Sequence, residues 1–469
     1  MAKFSILFFL VACFYIAFTS SCANIIPPGG GPRDSLPPKL LSAVPKDSAL
    51  NAVPNRVTLY FDEFVEIQNA QENVVVSPLP NNTPQIDYKL RTVTIRLRDT
   101  LEQNTTYSIN FGNAIKDVNE GNVLRNFIYV FSTGSIIDSN TLTGKVVLAE
   151  TGKLDTTLIV VLHRNLADSA VAKEKPRYLS KLDGGGNFLF QNLPAGTFAL
   201  YAIPNEYARK YEDSTNLFAF ADSSLSTTAN NKPVMLYAYN YPKTEKQSTA
   251  TSTGRRALPG SASQDKILRF TTSLDAGGKH DILKSNIEFV FNRDIFKFDS
   301  NSVILTNKDF VALPDYHFII DTSGNKFFLN YAWQAGQEYR VLISKDAFSD
   351  SAGISLTRND TIRISTKTNE DYGSVKVRFK NLDLSKNPVL LLVQNEKIVE
   401  SIPLLQREWN RKLFPPGEYE MRILFDTNKN GRWDAGKFFG EKRQPEIVRD
   451  LKIPLTIRGN WDNEKDISL

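Results

Sequence analysis

The chain contains few of the residues that most often carry enzymatic chemistry. Its 469 residues include two cysteines and three histidines. Both cysteines, Cys13 and Cys22, lie near the start, so the chain after Cys22 can form no internal disulfide and offers no thiol nucleophile. The histidines, His163, His280 and His317, lie far apart, so no local Ser-His-Asp arrangement or His-x-x-x-His metal pair is predicted.

The chain also has no large excess of positive or negative charge. The chain has 56 Lys and Arg against 51 Asp and Glu, and these charges are interspersed. A nucleic-acid interface would need a basic stripe, so no nucleic-acid partner is predicted. Thirty Phe and 17 Tyr, together with many Val, Ile and Thr, favour β structure instead.

The first 38 residues are typical of an exported and anchored protein. The apolar run Phe4 to Phe18 is too short to span a membrane comfortably, but it suits the core of a signal peptide. Small residues follow it and end at Cys22. We therefore predict a signal peptide over 1–21, acylation of the Cys22 thiol, and a Pro/Gly-rich tether over 22–38.

Two alternatives to lipidation at Cys22 remain open. Leu10-Val11-Ala12-Cys13 is closer to the usual consensus sequence of a lipidation motif. Processing there, however, would leave the apolar stretch 14–18 on the mature chain. The second alternative is an ordinary cleaved signal peptide with an incidental cysteine.

The remaining chain alternates two kinds of β module, named here A1, B1, A2 and B2. Module A1 covers 39–134 and module A2 covers 267–368; Ile287–Phe291 in A2 matches the alternating strand Val57–Phe61 in A1. The turn at Asp350 likewise matches the turn at Asp117.

Module B1 covers 140–240 and module B2 covers 370–469. Phe414–Met421 in B2 aligns with Leu193–Leu200 in B1 without a gap. Between the pairs, 241–266 has the composition of a flexible linker. The sequence thus predicts an all-β protein of tandem β-sandwich modules, whose two halves would each fold alone.

Several of these motifs also carry a family resemblance. Leu59-Tyr60-Phe61-Asp62-Glu63 and Phe131-Ser132-Thr133-Gly134 resemble bacterial Ig-like domains of the S-layer (SbsA) type. The Pro-x-Gly turns of B1 and B2 are similar to those of transthyretin-like, or carboxypeptidase-regulatory-like, sandwiches. With Cys22 and the tether, the whole chain resembles a group of Bacteroidetes outer-membrane lipoproteins. That resemblance implies an outer-membrane location, and Ala23-Asn24-Ile25 after the cysteine favours the periplasmic side.

One stretch has the spacing of a calcium loop. Asp426, Asn428, Asn430 and Asp434 occupy positions 1, 3, 5 and 9, with a glycine at position 6. Lys437 stands at position 12, where a bidentate Glu belongs, and Glu441 is a possible replacement. The alternative is a hairpin tip closed by Asx turns without a metal. Calcium is the one cofactor that the sequence suggests.

The sequence gives only weak evidence for other functional sites. Asp62 and Glu63 are adjacent on a strand, so they point to opposite faces and cannot form one acid–base pair. Four tryptophans are candidates for stacking on sugar rings, although tryptophan in a β-sandwich usually packs in the core. They are Trp333, Trp409, Trp433 and Trp461.

These features together predict a non-enzymatic, lipid-anchored envelope protein that acts as a spacer or binds a protein partner. A carbohydrate-binding accessory lipoprotein is the alternative, and a hydrolase is a third, weaker one.

Overall fold

A computed structural model describes residues 34–205, 210–211, 217–228, 232–240 and 267–469. Within these ranges the protein is all-β and built from several small sheets, which confirms the predicted fold class. Cys13, Cys22 and the predicted linker 241–266 lie outside the described residues. None of the described helices is long and apolar enough to cross a membrane.

Module A1 is a sandwich of two main sheets with a small third one. The sheet β1-β2-β6-β5 faces the sheet β4-β7-β9, and β3 pairs with β8. Alternate residues such as Val57, Leu59 and Phe61 point inward and are fully buried, as the period of a half-buried strand requires. The elements of A1 are β1 Leu40–Val44, β2 Arg56–Phe61, β3 Val65–Ile67, α1 Ala70–Asn73, β4 Val75–Ser77, β5 Gln85–Lys89, β6 Thr92–Arg96, β7 Thr106–Gly112, β8 Ile115–Asp117 and β9 Phe127–Ser132.

Module B1 has a different topology. Its strand β10 lies between antiparallel β13 and parallel β17, and a second sheet runs β12-β11-β14-β15 with β16 also paired to β14. The strand β11 is buried on both faces, so its outer face also needs a partner. The elements of B1 are β10 Asn140–Leu148, β11 Leu158–His163, α2 Ala170–Lys173, β12 Tyr178–Lys181, β13 Asn187–Leu193, β14 Thr197–Pro204, β15 Ala219–Phe220, β16 Leu225–Ser226 and β17 Val234–Ala238.

Module A2 repeats local contacts of A1 in detail. The hydroxyl of Tyr107 accepts the backbone N–H of Glu102 at 2.8 Å, and Tyr339 does the same with Gln334 at 3.2 Å. The sheets of A2 are β18-β20-β24-β23, β19-β27-β25-β22 and β21-β26. Its elements are β18 Phe270–Thr272, β19 Lys279–His280, β20 Asn286–Phe291, β21 Lys297–Phe298, a 3-10 turn at Ser300–Ser302, β22 Val303–Asn307, β23 His317–Ile320, β24 Lys326–Asn330, β25 Glu338–Ile343, β26 Phe348–Ser349 and β27 Asp360–Thr366.

Module B2 follows the pattern of B1. Strand β28 lies between antiparallel β31 and parallel β34, and the second sheet runs β30-β29-β32-β33. The elements of B2 are 3-10 turns at Asn369–Asp371 and Leu384–Lys386, and the strands β28 Gly373–Lys380, β29 Pro388–Gln394, β30 Lys397–Pro403, β31 Glu408–Phe414, β32 Gly417–Phe425, β33 Ile447–Ile457 and β34 Asp462–Ser468.

Candidate functional site at the loop between β32 and β33

The predicted calcium motif lies in the long loop 426–446, which connects two paired strands. Phe425 ends β32 and is the direct cross-strand partner of Ile447, which begins β33. Asp426 and Glu446 are therefore the first and last residues of the loop. Closing the hairpin brings their side chains to the same end of the sheet.

Glu446 holds the two sides of this loop together. Its carboxylate accepts the backbone N–H of Thr427 at 2.6 Å and that of Asp434 at 3.1 Å. Its backbone carbonyl accepts the indole N–H of Trp433 at 2.7 Å. Burial raises the pKa of Glu446, and the nearby charges of Asp426 and Asp434 raise it further.

The four residues predicted from spacing lie in one hydrogen-bonded network. Asp426 is only 2% exposed and accepts the backbone N–H groups of Asn430, at 3.2 Å, and Gly431, at 2.7 Å. The Oδ2 atom of Asp434 accepts an amide N–H from Asn428 and another from Asn430, each at 2.7 Å. Gly431 adopts a φ of +73°, which accounts for glycine at the sharp turn.

Glu446, rather than Glu441, supplies the third carboxylate of this hydrogen-bonded network. Glu441 pairs with Lys437 at 2.6 Å, and both side chains are exposed. The spacing rule missed Glu446 because it reads only the local sequence. The pairing of the two flanking strands would have revealed it.

The second half of the same loop inserts aromatic side chains into module B1. The ring centroid of Phe438 lies 4.9 Å from that of Phe220, 5.2 Å from that of Phe218 and 5.5 Å from that of Tyr201. The ring of Phe439 lies 6.1 Å from that of Tyr211. Phe438 thus belongs to the apolar cluster that covers the outer face of β11 and β14.

Polar contacts surround this aromatic centre. The amide of Gln444 donates to the backbone oxygen of Phe220 at 3.0 Å and to Asp222 at 2.8 Å. Lys442 pairs with Asp168 at 2.7 Å. An apolar centre with a polar rim is typical of a stable interface between folded units.

The backbones of the two modules also meet directly. The N–H of Val448 donates to the carbonyl of Ala149 at 2.8 Å. A Cβ atom on Gly152 would lie 2.6 Å from the backbone nitrogen of Asp450, so only glycine permits this approach. The two halves of the chain therefore share an interface that the sequence analysis did not predict.

The tryptophans are mostly packed. Trp333 and Trp409 are buried in the cores of A2 and B2, and Trp433 is partly buried beside Glu446. Trp461 is 60% exposed, and the Arg458 guanidinium lies 5.4 Å from its ring centroid. A sugar-stacking surface is consequently restricted to Trp461 among these four residues.

The three histidines lie apart in the fold, as their spacing predicts. His163 and His280 are buried, whereas His317 is exposed. Burial lowers the pKa of His163 to about 4, and its Nε2 atom has no hydrogen-bond partner among the residues that the structure describes. A buried neutral histidine suits packing better than proton transfer.

A small cavity lies where modules A1 and B1 meet. Its volume is about 100 Å³, and its lining includes Leu79, Tyr107 and Arg177. Arg177 donates to both carboxylate oxygens of Glu102 and ties the two modules together. Small-molecule sites usually enclose roughly 300–1,000 Å³, so this cavity is too small to be one.

Comparisons with known proteins identify one domain. A family model described as "Bacterial Ig-like domain" matches residues 34–133, so the chain contains a domain of this kind. No curated protein matches the chain.

Several solved structures are similar at low identity. The Bacillus anthracis TIE protein is 12% identical, with 94% of this chain and 76% of that chain covered and a TM-score of 0.17. BcpA, the major pilin subunit of Bacillus cereus, is 11% identical, with 71% and 99% covered and a TM-score of 0.16. The S-layer protein SbsC is 12% identical, with 92% and 54% covered and a TM-score of 0.16. TM-scores this low carry no argument about function.

Proposed function

We propose that this is a non-enzymatic, lipid-anchored protein of the bacterial cell envelope, held by Cys22 in the outer membrane on its periplasmic side. Its β modules serve both as a spacer and as the surface that binds a protein partner. The observation that carries the proposal is the packing of Phe438 of module B2 into module B1. A packed interface turns tandem domains into a stiff body, and a spacer needs stiffness. The bacterial Ig-like match over 34–133 and the resemblance to Bacteroidetes outer-membrane lipoproteins support the location.

The anchor is tested by fractionating cells that express Cys22→Ala. This variant is expected in the soluble fraction, and Cys13→Ala is the matched control that stays with the membrane. Membrane retention of Cys22→Ala would contradict lipidation at that residue. Release of Cys13→Ala instead would move the anchor to Cys13.

The spacer and partner role is tested by crosslinking intact envelopes and purifying the protein. One recurrent partner, lost when the chain lacks module B2, is expected. A carbohydrate-binding lipoprotein is the alternative, with Trp461 as its exposed aromatic residue. A polysaccharide signal on a glycan array that Trp461→Ala abolishes would favour that alternative.

We propose in addition that loop 426–446 binds calcium. Asp426, Asn428, Asn430 and Asp434 lie in one hydrogen-bonded network beside Glu446, and side-chain oxygens of this kind suit an oxygen-preferring cation. Binding requires the amides of Asn428 and Asn430 to turn their oxygens, rather than their N–H groups, toward Asp434.

The expected affinity is that of extracellular modules, a Kd of roughly 10⁻⁴–10⁻³ M. Calcium at ten times Kd would stabilise the native state by about 1.4 kcal/mol. Melting curves with millimolar calcium and with chelator test this on the full chain and on Asp426→Ala. If calcium changes the melting temperatures of the two proteins equally, loop 426–446 does not bind calcium.

A further inference from the structure

One end of module A1 exposes three large apolar side chains. Phe64 is 44% exposed, Leu90 is 62% exposed and Val118 is 53% exposed. Their segments adjoin one another, because the N–H of Val118 donates to the carbonyl of Phe64 at 3.0 Å. The N–H of Val65 donates to the carbonyl of Leu90 at 2.9 Å. Phe64, Leu90 and Val118 are called the apolar tip below.

The pairing of β3 with β8 turns two of these side chains away from the core. Val65 lies opposite Asp117 in this pair, and both residues are buried. Phe64 and Val118 come one position further along each strand. Because successive side chains of a strand point to opposite faces, Phe64 and Val118 point outward together.

Leu90 has a backbone conformation that is unusual for its side chain. Lys89 pairs with Thr92, so Leu90 and Arg91 form the tip of the hairpin between β5 and β6. Leu90 has a φ of +54°, a left-handed conformation that Gly and Asn adopt far more readily. The guanidinium of Arg91 lies 5.5 Å from the ring centroid of Phe64, so this hairpin lies beside that ring. An exposed leucine that is kept in a strained conformation points to a role other than folding.

Module A2 provides an internal comparison for this hairpin. The contact that Leu90 makes with β3 recurs in A2, where the N–H of Ile295 donates to the carbonyl of Gly324 at 2.8 Å. Gly324 is therefore the counterpart of Leu90. Asp294 precedes Ile295 and is exposed, so an acidic side chain stands where A1 has Phe64.

The third position of the apolar tip differs in the same direction. Asp117 and Asp350 are counterparts, because each donates its backbone N–H across the turn that follows it, at 3.1 Å in both modules. The next residue is Val118 in A1 and the exposed Ser351 in A2. Module A1 thus has three apolar side chains where module A2 has an acid, a glycine and a serine. Since A2 forms the same sandwich without them, the fold does not require apolar residues at this end.

The chain enters module A1 at the same end. The backbone oxygen of Asp34, the first residue that the structure describes, accepts the side-chain amide of Asn122 at 3.1 Å. Asn122 belongs to the same turn as Val118. Asp34 is 12 residues after Cys22, a stretch that spans about 40 Å when fully extended and roughly 20 Å on average when flexible. An acyl chain on Cys22 would therefore keep the apolar tip close to the bilayer surface.

We propose that the apolar tip inserts into the interfacial region of a lipid bilayer, as a second membrane contact beside the acylated cysteine. This inference rests on the proposed anchor at Cys22, which brings the tip to the membrane. Charges of both signs lie at this end of the module, among them those of Asp34, Lys39, Arg91 and Glu120. Burial of apolar surface, rather than attraction to anionic lipid, therefore drives the contact.

This second contact fixes how the spacer stands on the membrane. A flexible tether alone would let module A1 swing freely, whereas an inserted tip holds one end of the module against the bilayer. Three side chains bury less apolar surface than an acyl chain, so the contact is weak and reversible. The Cys22→Ala protein should therefore still leave washed membranes.

Sedimentation with phosphatidylcholine vesicles tests the proposal on the mature chain 22–469 carrying Cys22→Ala, which has neither the acyl chain nor the apolar leader. The protein is expected to sediment with the vesicles, and added phosphatidylglycerol or high salt should change this little. Leu90→Asn should weaken partitioning roughly tenfold or more, because one leucine side chain is no longer buried. Asn accepts the left-handed turn, so the hairpin is kept. Leu405→Asn is the matched control in module B2, where Leu405 is 91% exposed, and it should leave partitioning unchanged.

A variant that copies the polar end of module A2 provides a second measurement. The combination of Phe64→Asp, Leu90→Asn and Val118→Ser should abolish vesicle binding, and its melting curve shows whether it is folded. Absence of vesicle binding by the Cys22→Ala chain, or undiminished binding after Leu90→Asn, would overturn the proposal. Binding that requires anionic lipid and low salt would also overturn it, and so would dimers that only the triple variant loses, which would assign the tip to a second copy of the chain. None of these results would affect the anchor at Cys22, which cell fractionation tests separately.

Discussion

The ring of Phe438 lies 4.9 Å from the ring of Phe220, so a loop of module B2 completes the apolar face of module B1. This relationship joins residues that are distant in sequence and that belong to different sandwiches. It makes the stability of the two halves interdependent.

Replacing Phe438 with Ala should uncouple the two modules. Removing a buried phenylalanine ring costs about 3 kcal/mol or more, and here most of that cost falls on the contact between modules. We expect denaturant unfolding to split into two transitions. Hydrogen exchange of the β11 and β14 amides monitors the unfolding of module B1. Phe296→Ala is the control, because Phe296 is 81% exposed. A single unchanged transition for Phe438→Ala would show that the contact contributes little.

Separately produced halves, 39–240 and 267–469, should bind each other. Each would expose one side of the aromatic contact, and burying that surface again is favourable. Size-exclusion chromatography of the mixture should show a one-to-one complex. Phe438→Ala in the second half should abolish it, and halves that never associate would contradict the interface.

Stability should fall as the solution becomes acidic, through His163. Burial lowers the pKa of His163 to about 4, below the usual value near 6.5 of an unfolded chain. The folded state therefore binds fewer protons, so its contribution is complete above pH 6.5 and is lost as the pH falls toward 4.

The expected loss is about 3 kcal/mol, which is the free-energy equivalent of a pKa near 4 in the folded state against 6.5 in the unfolded chain. His163→Phe should flatten this pH dependence in denaturant titrations. His317→Gln should leave it intact, because His317 is exposed. His280 is also buried with a lowered pKa, so part of the dependence should remain in His163→Phe.

Glu446 should be required for any calcium response of loop 426–446. Calcium is expected to raise the melting temperature of the native chain and to change the fluorescence of Trp433, whose indole is bound to Glu446. Glu446→Gln should lose both responses, whereas Glu441→Gln should keep them because Glu441 pairs with Lys437. The reverse result would make Glu441 the ligand.

Much of the fold was predictable because strand periodicity is a local property of sequence. The alternation in Val57–Phe61 and Ile287–Phe291 reports burial on one face, and both stretches lie within strands β2 and β20. The repeated tyrosine contacts of Tyr107 and Tyr339 follow from the same internal duplication.

The functional features depend on contacts between distant residues, which spacing rules do not capture. Glu446 reaches Asp434 because β32 pairs with β33, and the motif rule stopped at Lys437. Phe438 is an aromatic residue within a long loop. That position suggests that its ring packs against another part of the protein, but it does not indicate which part.

The direct backbone contact between Ala149 and Val448 has a mechanical consequence. If a tension is applied at the two ends of the chain, the load passes from module B1 into module B2 through this hydrogen bond and the aromatic rings beside it. This contact would then rupture first, so that modules B1 and B2 part before either sandwich has to unfold.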